Sequence, residues 1–284
     1  MRYGENMKVL VIGKDGQLGS ELVRIIVGSK GTSRRVGSEN YLDLMNGTSI
    51  EGAIIKEMPD VVINAAAYTD VDACEKNKSN AFLINGRAVG NMAKACAVTG
   101  SYFIHISTDY VFDGEHGNYA EDDIPYPINY YGVSKLIGEV YALSYDKSLV
   151  IRTSGIYGKK INFPLYVAKT LREGGTVNCI DSYYSPIHAT LLAESIKELI
   201  NKRIYGILNV SGERISRYDF AMKIKESLNI ESGNVTLIRS SPNLKAKRPY
   251  DSSLNNEKAL RILSTKFNDT EKAMGYIANY LEVT

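Results

Sequence analysis

The sequence predicts an α/β fold of the Rossmann type, a doubly wound parallel sheet with a smaller C-terminal α/β substrate lobe. Short β-branched runs alternate with amphipathic segments of helical period through the first half of the chain. A glycine-rich turn follows the first of these runs, and a Ser-Thr-Asp triplet closes a later one. Because open parallel sheets bind ligands outside the carboxyl ends of their strands, both features point to one site.

The first strand and turn have the pattern of a dinucleotide-binding segment. Residues 8–12 read KVLVI, and Gly13, Gly16 and Gly19 follow before a helix predicted over 20–27. Gly13 permits the tight turn, Gly16 lets the backbone approach a pyrophosphate, and Gly19 lets the helix pack on the strand. The helix N-terminus offers free N–H groups to phosphate oxygens, which adds Gln17 and Leu18 to the predicted cofactor site.

The second strand is predicted to end in a basic turn, Ser33-Arg34-Arg35. A cofactor that lacks a 2′-phosphate commonly meets an acidic residue here, which binds the ribose hydroxyls. Guanidinium groups instead suit a dianionic phosphate. The turn therefore favours NADPH as cofactor, with NADH as the alternative. A solvated basic turn is the structural explanation that competes with both.

A Tyr-x-x-x-Lys pair gives the clearest sign of chemistry. Tyr131 and Lys135 are one helical turn apart at the start of a predicted helix, so both point the same way. An ammonium near a phenol favours the phenolate and lowers the cost of moving the phenol's proton. Thr108, at the end of a predicted buried strand, is expected to hydrogen-bond a substrate oxygen beside the tyrosine. Ser107 and Asp109 flank it.

Composition excludes several classes of protein. A net charge of +2 gives no basis for nucleic-acid or membrane binding. Three cysteines far apart in the chain argue against a disulfide framework or a zinc site, and favour the reducing cytoplasm. No apolar run reaches the ~18 residues of a membrane span. The first six residues, MRYGEN, lack the apolar core of a signal peptide. Asp70, Asp72 and Glu75 are predicted as helix-start charges rather than metal ligands.

We predict a cofactor domain over 1–155, with a segment near 189–215 that returns to it. The substrate lobe then comprises 156–188 and 216–284. In that lobe Lys245, Lys247 and Arg248 have the chemistry to neutralise a nucleoside diphosphate, although a solvated charge run explains them as well. His105, between apolar neighbours of the fourth strand, is predicted as a core histidine.

The motifs STDYVFDG (107–114) and YGVSK (131–135), with the upstream glycines, resemble the extended short-chain dehydrogenase/reductases. Within them the chain is most similar to the dTDP-4-dehydrorhamnose reductases. The resemblance implies that NADPH reduces the C4 ketone of dTDP-4-dehydro-6-deoxy-L-mannose to give dTDP-L-rhamnose. Tyr131 would be the proton donor, Lys135 its electrostatic partner and ligand of the nicotinamide ribose, and Thr108 the residue that positions the oxygen.

The same resemblance implies further contacts. It places Asp43 and Leu44 near adenine, and Ala65, Ala66, Ala67 and Tyr68 along the cofactor. Asp109, Gly155 and Arg248 would border the substrate, and many relatives carry tryptophan where Gly155 stands. Some relatives hold Mg²⁺ near a subunit interface, but its ligands are not identified here. Relatives commonly form homodimers, for which the exposed faces of the predicted helices 80–98 and 130–144 are the first candidates.

Three rival functions differ in what they require. A 4,6-dehydratase is expected to carry Asp-Glu after the threonine, whereas this chain has Asp109-Tyr110. A sugar-nucleotide epimerase could use the same Thr108, Tyr131 and Lys135, but it would retain NAD, against which the two arginines argue. The chain is also similar to the regulatory β subunit of methionine adenosyltransferase, a non-catalytic module that binds NADP and a partner enzyme.

Overall fold

The computed structural model describes residues 7–239 and 244–282. In chain order its strands are β1 (Val9–Ile12), β2 (Lys30–Thr32), β3 (Val61–Asn64), β4 (Tyr102–Ile106), β5 (Ser148–Arg152), β6 (Ser154–Tyr157), β7 (Thr176–Ile180), β8 (Tyr183–Tyr184), β9 (Pro186–His188), β10 (Gly206–Asn209), β11 (Ile215–Ser216) and β12 (Asn234–Ile238). Its α-helices are α1 (Gln17–Ile25), α2 (Gly47–Glu57), α3 (Val71–Lys76), α4 (Lys78–Ala81), α5 (Ala88–Thr99), α6 (Tyr130–Leu143), α7 (Phe163–Arg172), α8 (Ala189–Lys202), α9 (Arg217–Ser227), α10 (Glu257–Ile262) and α11 (Thr270–Glu282).

Six strands form one parallel sheet in the order β10-β5-β4-β3-β1-β2. The chain runs from β1 outward to β2 and then returns to β3 on the other side of β1. The strand order therefore reverses between β1 and β3, and this is where doubly wound sheets open a crevice for a ligand. The predicted fold class is confirmed.

Apolar side chains cover both faces of the sheet, as a parallel sheet requires. On one face α1 and α8 pack together over Val9, Val11 and Ile104. On the other face α2 and α5 pack over Leu10, Val62 and Phe103. The sheet is thus a rigid support between two helical layers, and its carboxyl edge carries the polar residues of the site.

The remaining strands form three small sheets beside the main one: β6 with β9, β7 with β12, and β8 with β11. A separate apolar cluster, which includes Val167, Val177 and Phe220, holds α7, β7 and α9 together. Residues 259–267 do not belong to this cluster. Their Ala259 and Phe267 pack instead with the core of the main sheet. The described part of the segment 216–284 therefore contributes to this cluster and to the core of the main sheet.

Helix α6 lies unusually close to its neighbours because two of its residues are glycines. A Cβ on Gly132 would lie 2.1 Å from the carbonyl oxygen of Tyr110, and one on Gly138 would lie 2.3 Å from that of Asn85. No side chain fits at such distances. The two glycines therefore fix the position of α6, and with it that of Tyr131 and Lys135.

We expect Gly138→Ala to destabilise the protein by about 1–3 kcal/mol, because the added methyl group overpacks the contact with Asn85. The matched control is Gly52→Ala on α2, where a Cβ meets nothing within 4 Å. Alanine there should stabilise the protein by about 0.5–1 kcal/mol through helix propensity. Urea unfolding followed by circular dichroism measures both changes. Equal effects of the two substitutions would show that α6 is not closely packed.

Candidate functional site

The cleft at the carboxyl edge of the sheet has a volume of about 840 Å³. Such a volume is in the range of small-molecule and cofactor sites. The cleft extends from the glycine turn after β1, past the ends of β3 and β4, to residues of the small sheets. It is lined by these residues predicted from the sequence: Gly13, Gly16, Gln17, Leu18, Ser33, Arg34, Arg35, Asp43, Leu44, Ala65, Ala66, Ala67, Tyr68, Ser107, Thr108, Asp109, Tyr131 and Gly155.

The glycine turn forms one end of the cleft. Gly13 has φ +90°, and a Cβ there would lie 2.8 Å from that of Ala66. A Cβ on Gly19 would lie 2.0 Å from the carbonyl oxygen of Gly13, so Gly19 lets α1 pack on the turn without lining the cleft. In the described part of the chain no side chain caps the N-terminus of α1, where Gly16 precedes the helix. Its N–H groups therefore remain open to an anionic ligand.

The basic turn after β2 lies beside the glycine turn. Ser33 donates a hydrogen bond to Asp15, and the guanidinium of Arg35 lies 4.0 Å from the same carboxylate. Among the described residues Arg34 makes no ion pair, and its side chain lines the cleft. Asp15 thus offsets part of the charge of Arg35, whereas the charge of Arg34 remains available.

Tyr131 and Lys135 lie on the first turns of α6, with Asn129 capping the helix through the N–H of Gly132. Burial raises the pKa of Tyr131, and a hydrogen bond with Thr108 opposes this rise in part. The pKa of Tyr131 is therefore raised overall, whereas the Tyr-Lys spacing predicts that the ammonium of Lys135 lowers it. In this structure the phenol therefore keeps its proton at neutral pH.

The ammonium of Lys135 lies beneath the cleft rather than on its wall. Its Nζ donates to the carbonyl oxygen of Ile106 at 2.6 Å and lies 3.3 Å from Nε2 of His105. Lys135 is 2% exposed, and burial lowers its pKa to about 8, although the charge of Glu139 one turn later opposes this change.

His105 is a core residue, as predicted, but it also contacts the candidate catalytic lysine. Asn64 accepts from the N–H of Ala66 through its Oδ1, so its amide nitrogen faces Nδ1 of His105 at 3.1 Å. Nδ1 is then the acceptor, and Nε2 carries the ring hydrogen toward Lys135. Burial and the neighbouring charge of Lys135 both lower the pKa of His105, so the imidazole is neutral.

Asp109 joins the main sheet to the smaller sheets. Its carboxyl group accepts from the hydroxyls of Thr108 at 3.0 Å, Ser154 at 2.7 Å and Ser252 at 2.5 Å. Burial raises the pKa of Asp109, and these hydrogen bonds oppose the rise. Asp109 lines the cleft, but its carboxyl group is occupied mainly in holding three segments of the chain together.

Arg248 does not line the cleft. Its guanidinium pairs with Asp72 at 3.2 Å, and Asp72 also accepts from the backbone N–H groups of Lys245 and Ala246. The hydrogen bond from Ala246 is the main reason that the pKa of Asp72 is lowered. Asp72 lies in the first turn of α3, as predicted. Arg248 therefore anchors its own loop to α3, and exposed Lys245 and Lys247 also stay off the cleft wall.

Gly155 borders the cleft with φ +23°, and a Cβ there would lie 2.8 Å from the ring of Tyr184. The ring of Tyr184 thus takes the space that a larger side chain at 155 would need. Tyr184 and Arg217 also line the cleft, and neither is among the site residues predicted from the sequence. Arg217 had one available signal, because a cation at the first position of a helix opposes the helix dipole.

Asn85 was also missed, since the helix predicted over 80–98 is not continuous. A π-helical stretch, Phe82–Arg87, separates α4 from α5. Within it Asn85 accepts from the N–H of Tyr68 at 2.7 Å and donates to Ser134 of α6 at 3.0 Å. π-Helical turns often lie at functional sites. Here the turn lets one side chain hold the cleft residue Tyr68 against α6.

Within the part of the chain that the structure describes, no group of three or more His, Cys, Asp or Glu is placed to hold a metal ion. A search of the same residues finds no helix that is both long and apolar enough to span a membrane.

Residues 7–282 match the family model described as RmlD substrate binding domain. The chain is 34% identical to the dTDP-4-dehydrorhamnose reductase of Aggregatibacter actinomycetemcomitans, over 97% of this chain and 99% of that protein. The crystal structure of a hypothetical dTDP-4-dehydrorhamnose reductase from Sulfolobus tokodaii superimposes with a TM-score of 0.88 at 51% identity, over 92% of this chain and 97% of that one.

A dTDP-4-dehydrorhamnose reductase from Bacillus anthracis, solved in complex with NADP, superimposes with a TM-score of 0.89 at 28% identity, over 99% of this chain and 100% of that one. Both the sequence and the structure of this chain are thus similar to those of these relatives over nearly the whole chain. The chain belongs to the RmlD substrate-binding-domain family.

Proposed function

We propose that this chain is an NADPH-dependent reductase that converts dTDP-4-dehydro-6-deoxy-L-mannose to dTDP-L-rhamnose. The observation that carries the proposal is that Tyr131 and Thr108 both lie on the wall of a cleft that begins at a glycine turn. Relatives that carry this name match the chain over nearly its full length.

The residues of the cleft fit a dinucleotide. The close contact of Gly13 with Ala66 and the uncapped start of α1 leave backbone room and N–H donors for a pyrophosphate. Arg34 supplies an unpaired charge at the position of a 2′-phosphate. When bound, the cofactor supplies a hydride. The relative from Bacillus anthracis, solved with NADP, supports NADPH rather than NADH.

The protein's own part in the reaction is to supply a proton and to stabilise the negative charge that the proton leaves behind. Because burial raises the pKa of Tyr131, its phenol is protonated at neutral pH and can act as a general acid toward the carbonyl oxygen. Thr108 holds the same oxygen once its hydroxyl turns from Asp109, to which it donates in this structure, toward the substrate. Once the proton has left, Lys135 stabilises the tyrosinate while it remains charged, which is below its pKa of about 8.

Three further proposals concern the protein as a whole. The cofactor domain and substrate lobe divide near residue 155, where the main sheet gives way to the smaller sheets. The protein is cytoplasmic, which suits three buried cysteines that are free thiols. It forms a homodimer through α5 and α6, whose exposed Val98, Val140 and Tyr141 suit such a contact. A purely monomeric mass in light scattering would contradict the homodimer.

Tyr131→Phe should lower turnover by about 100- to 10,000-fold, because the general acid is lost. Cofactor affinity should change little. The assay follows nicotinamide absorbance with the dTDP-4-keto-6-deoxy sugar freshly passed through its epimerase. Tyr130→Phe is the control, since Tyr130 is adjacent on α6 but does not line the cleft. Undiminished turnover in Tyr131→Phe would remove this residue from the mechanism, and product formed without NADPH consumption would identify an epimerase.

Arg34→Ala should weaken NADPH binding by about tenfold or more, because a charge-assisted contact to the 2′-phosphate is lost. NADH binding should stay unchanged, since NADH lacks that phosphate. Arg35→Ala should have the smaller effect, because Asp15 already offsets its charge. Fluorescence titration of both cofactors measures these affinities. A wild-type protein that binds NADH more tightly than NADPH would contradict the proposed cofactor.

A further inference from the structure

Arg217 is a charged residue of the cleft to which no role has been given so far. It is the first residue of α9, and its backbone N–H donates to the carbonyl oxygen of Ser182. Its half-buried guanidinium lies over the ring of Tyr184 at 4.4 Å and near that of Phe163 at 5.7 Å. Two aromatic rings thus hold a cation in a fixed position on the cleft wall.

This guanidinium lacks an acidic partner among the described residues. Two other arginines of the C-terminal part of the chain form salt bridges: Arg214 with Asp251 at 2.8 Å and Arg248 with Asp72 at 3.2 Å. The side chain of Arg217 makes a hydrogen bond with the hydroxyl of Tyr110, which is neutral. A partly buried cation without an anion is unfavourable in a free protein, which suggests that a ligand supplies the anion.

Other unsatisfied polar groups lie in the same cleft. The hydroxyl of Tyr184 and Oγ1 of Thr153 are buried without a hydrogen-bond partner among residues 7–239 and 244–282, and both residues line the cleft. Buried hydroxyl groups are rarely left unpaired. Together with the guanidinium they form a set of donors suited to a ligand group with several oxygen atoms and negative charge.

Tyr110 links Arg217 to the candidate acid Tyr131. Its ring lies edge-on to the ring of Tyr131, with 5.9 Å between the ring centroids, and its hydroxyl makes a hydrogen bond with Arg217. All three residues line the same cleft. A substrate whose carbonyl oxygen meets Tyr131 therefore shares this cleft with the guanidinium of Arg217.

We propose that Arg217, assisted by the hydroxyl of Tyr184, binds the diphosphate of the nucleotide-sugar substrate. The identity of this anion as a nucleoside diphosphate rests on the proposed function. The competing role for Arg217 is to balance the buried carboxyl group of Asp109. That group already accepts three hydrogen bonds from hydroxyls, so its oxygen atoms have hydrogen-bond donors without the guanidinium.

Calorimetric titration with dTDP, dTMP and thymidine, in the presence of NADP⁺, tests the proposal. The wild type should bind dTDP more tightly than thymidine. Arg217→Gln should weaken dTDP binding by about tenfold or more and leave thymidine binding nearly unchanged, so that the preference for dTDP disappears. Arg217→Lys should retain part of the preference. Arg214→Gln and Arg248→Gln, the controls, should retain all of it.

Equal weakening of dTDP and thymidine in Arg217→Gln would assign Arg217 a structural role and overturn the proposal. Unchanged dTDP binding in this variant would do the same, and loss of the preference in Arg248→Gln would move the diphosphate to the loop that Asp72 anchors. These outcomes leave the reductase function intact if the wild type still consumes NADPH with the dTDP-sugar. A wild type that shows no preference for dTDP and no turnover would overturn both proposals.

Discussion

The burial of Lys135 is the constraint on which the rest of the site depends. An ammonium under a protein surface is stable only where acceptors are fixed around it. The carbonyl oxygen of Ile106 is such an acceptor, at 2.6 Å, and the carboxylate of Glu139 lies one turn further along α6. Gly132 and Gly138 bring α6 close enough to β4 for these contacts to form. Backbone packing thus sets the electrostatic environment of the candidate acid Tyr131.

A buried ion pair between α6 and β5 also stabilises this arrangement. Glu139 receives a hydrogen bond from Ser107 at 2.5 Å and pairs with Arg152 of β5 at 2.8 Å. Removing one partner of such a pair would leave an uncompensated charge in the core. Since Ser107 directly precedes Thr108, the pair also fixes the strand end that carries the Thr108 hydroxyl. Two charges that do not line the cleft therefore hold part of its wall in place.

Much of the cofactor end could be predicted because its features are local in the chain. The turn at Gly13 requires a positive φ, and Gly19 must lie against the Gly13 carbonyl. Both requirements follow from a strand that passes directly into a helix. The basic turn of Ser33 to Arg35 also lies at the cleft, since β2 pairs with β1 in this topology. The substrate end is different, because distant segments build it.

By itself the sequence determined the fold class, the glycine turn and the one-turn spacing of Tyr131 and Lys135. These depend on backbone dihedrals and helical period, which short stretches of residues control. Only the tertiary structure decided that Arg217 rather than Arg248 lines the cleft, because Asp72 on α3 pairs with Arg248 whereas two aromatic rings hold Arg217 at the cleft wall. It also decided the direction of the Tyr131 pKa, because desolvation is the largest influence on that pKa and burial depends on elements far apart in the chain.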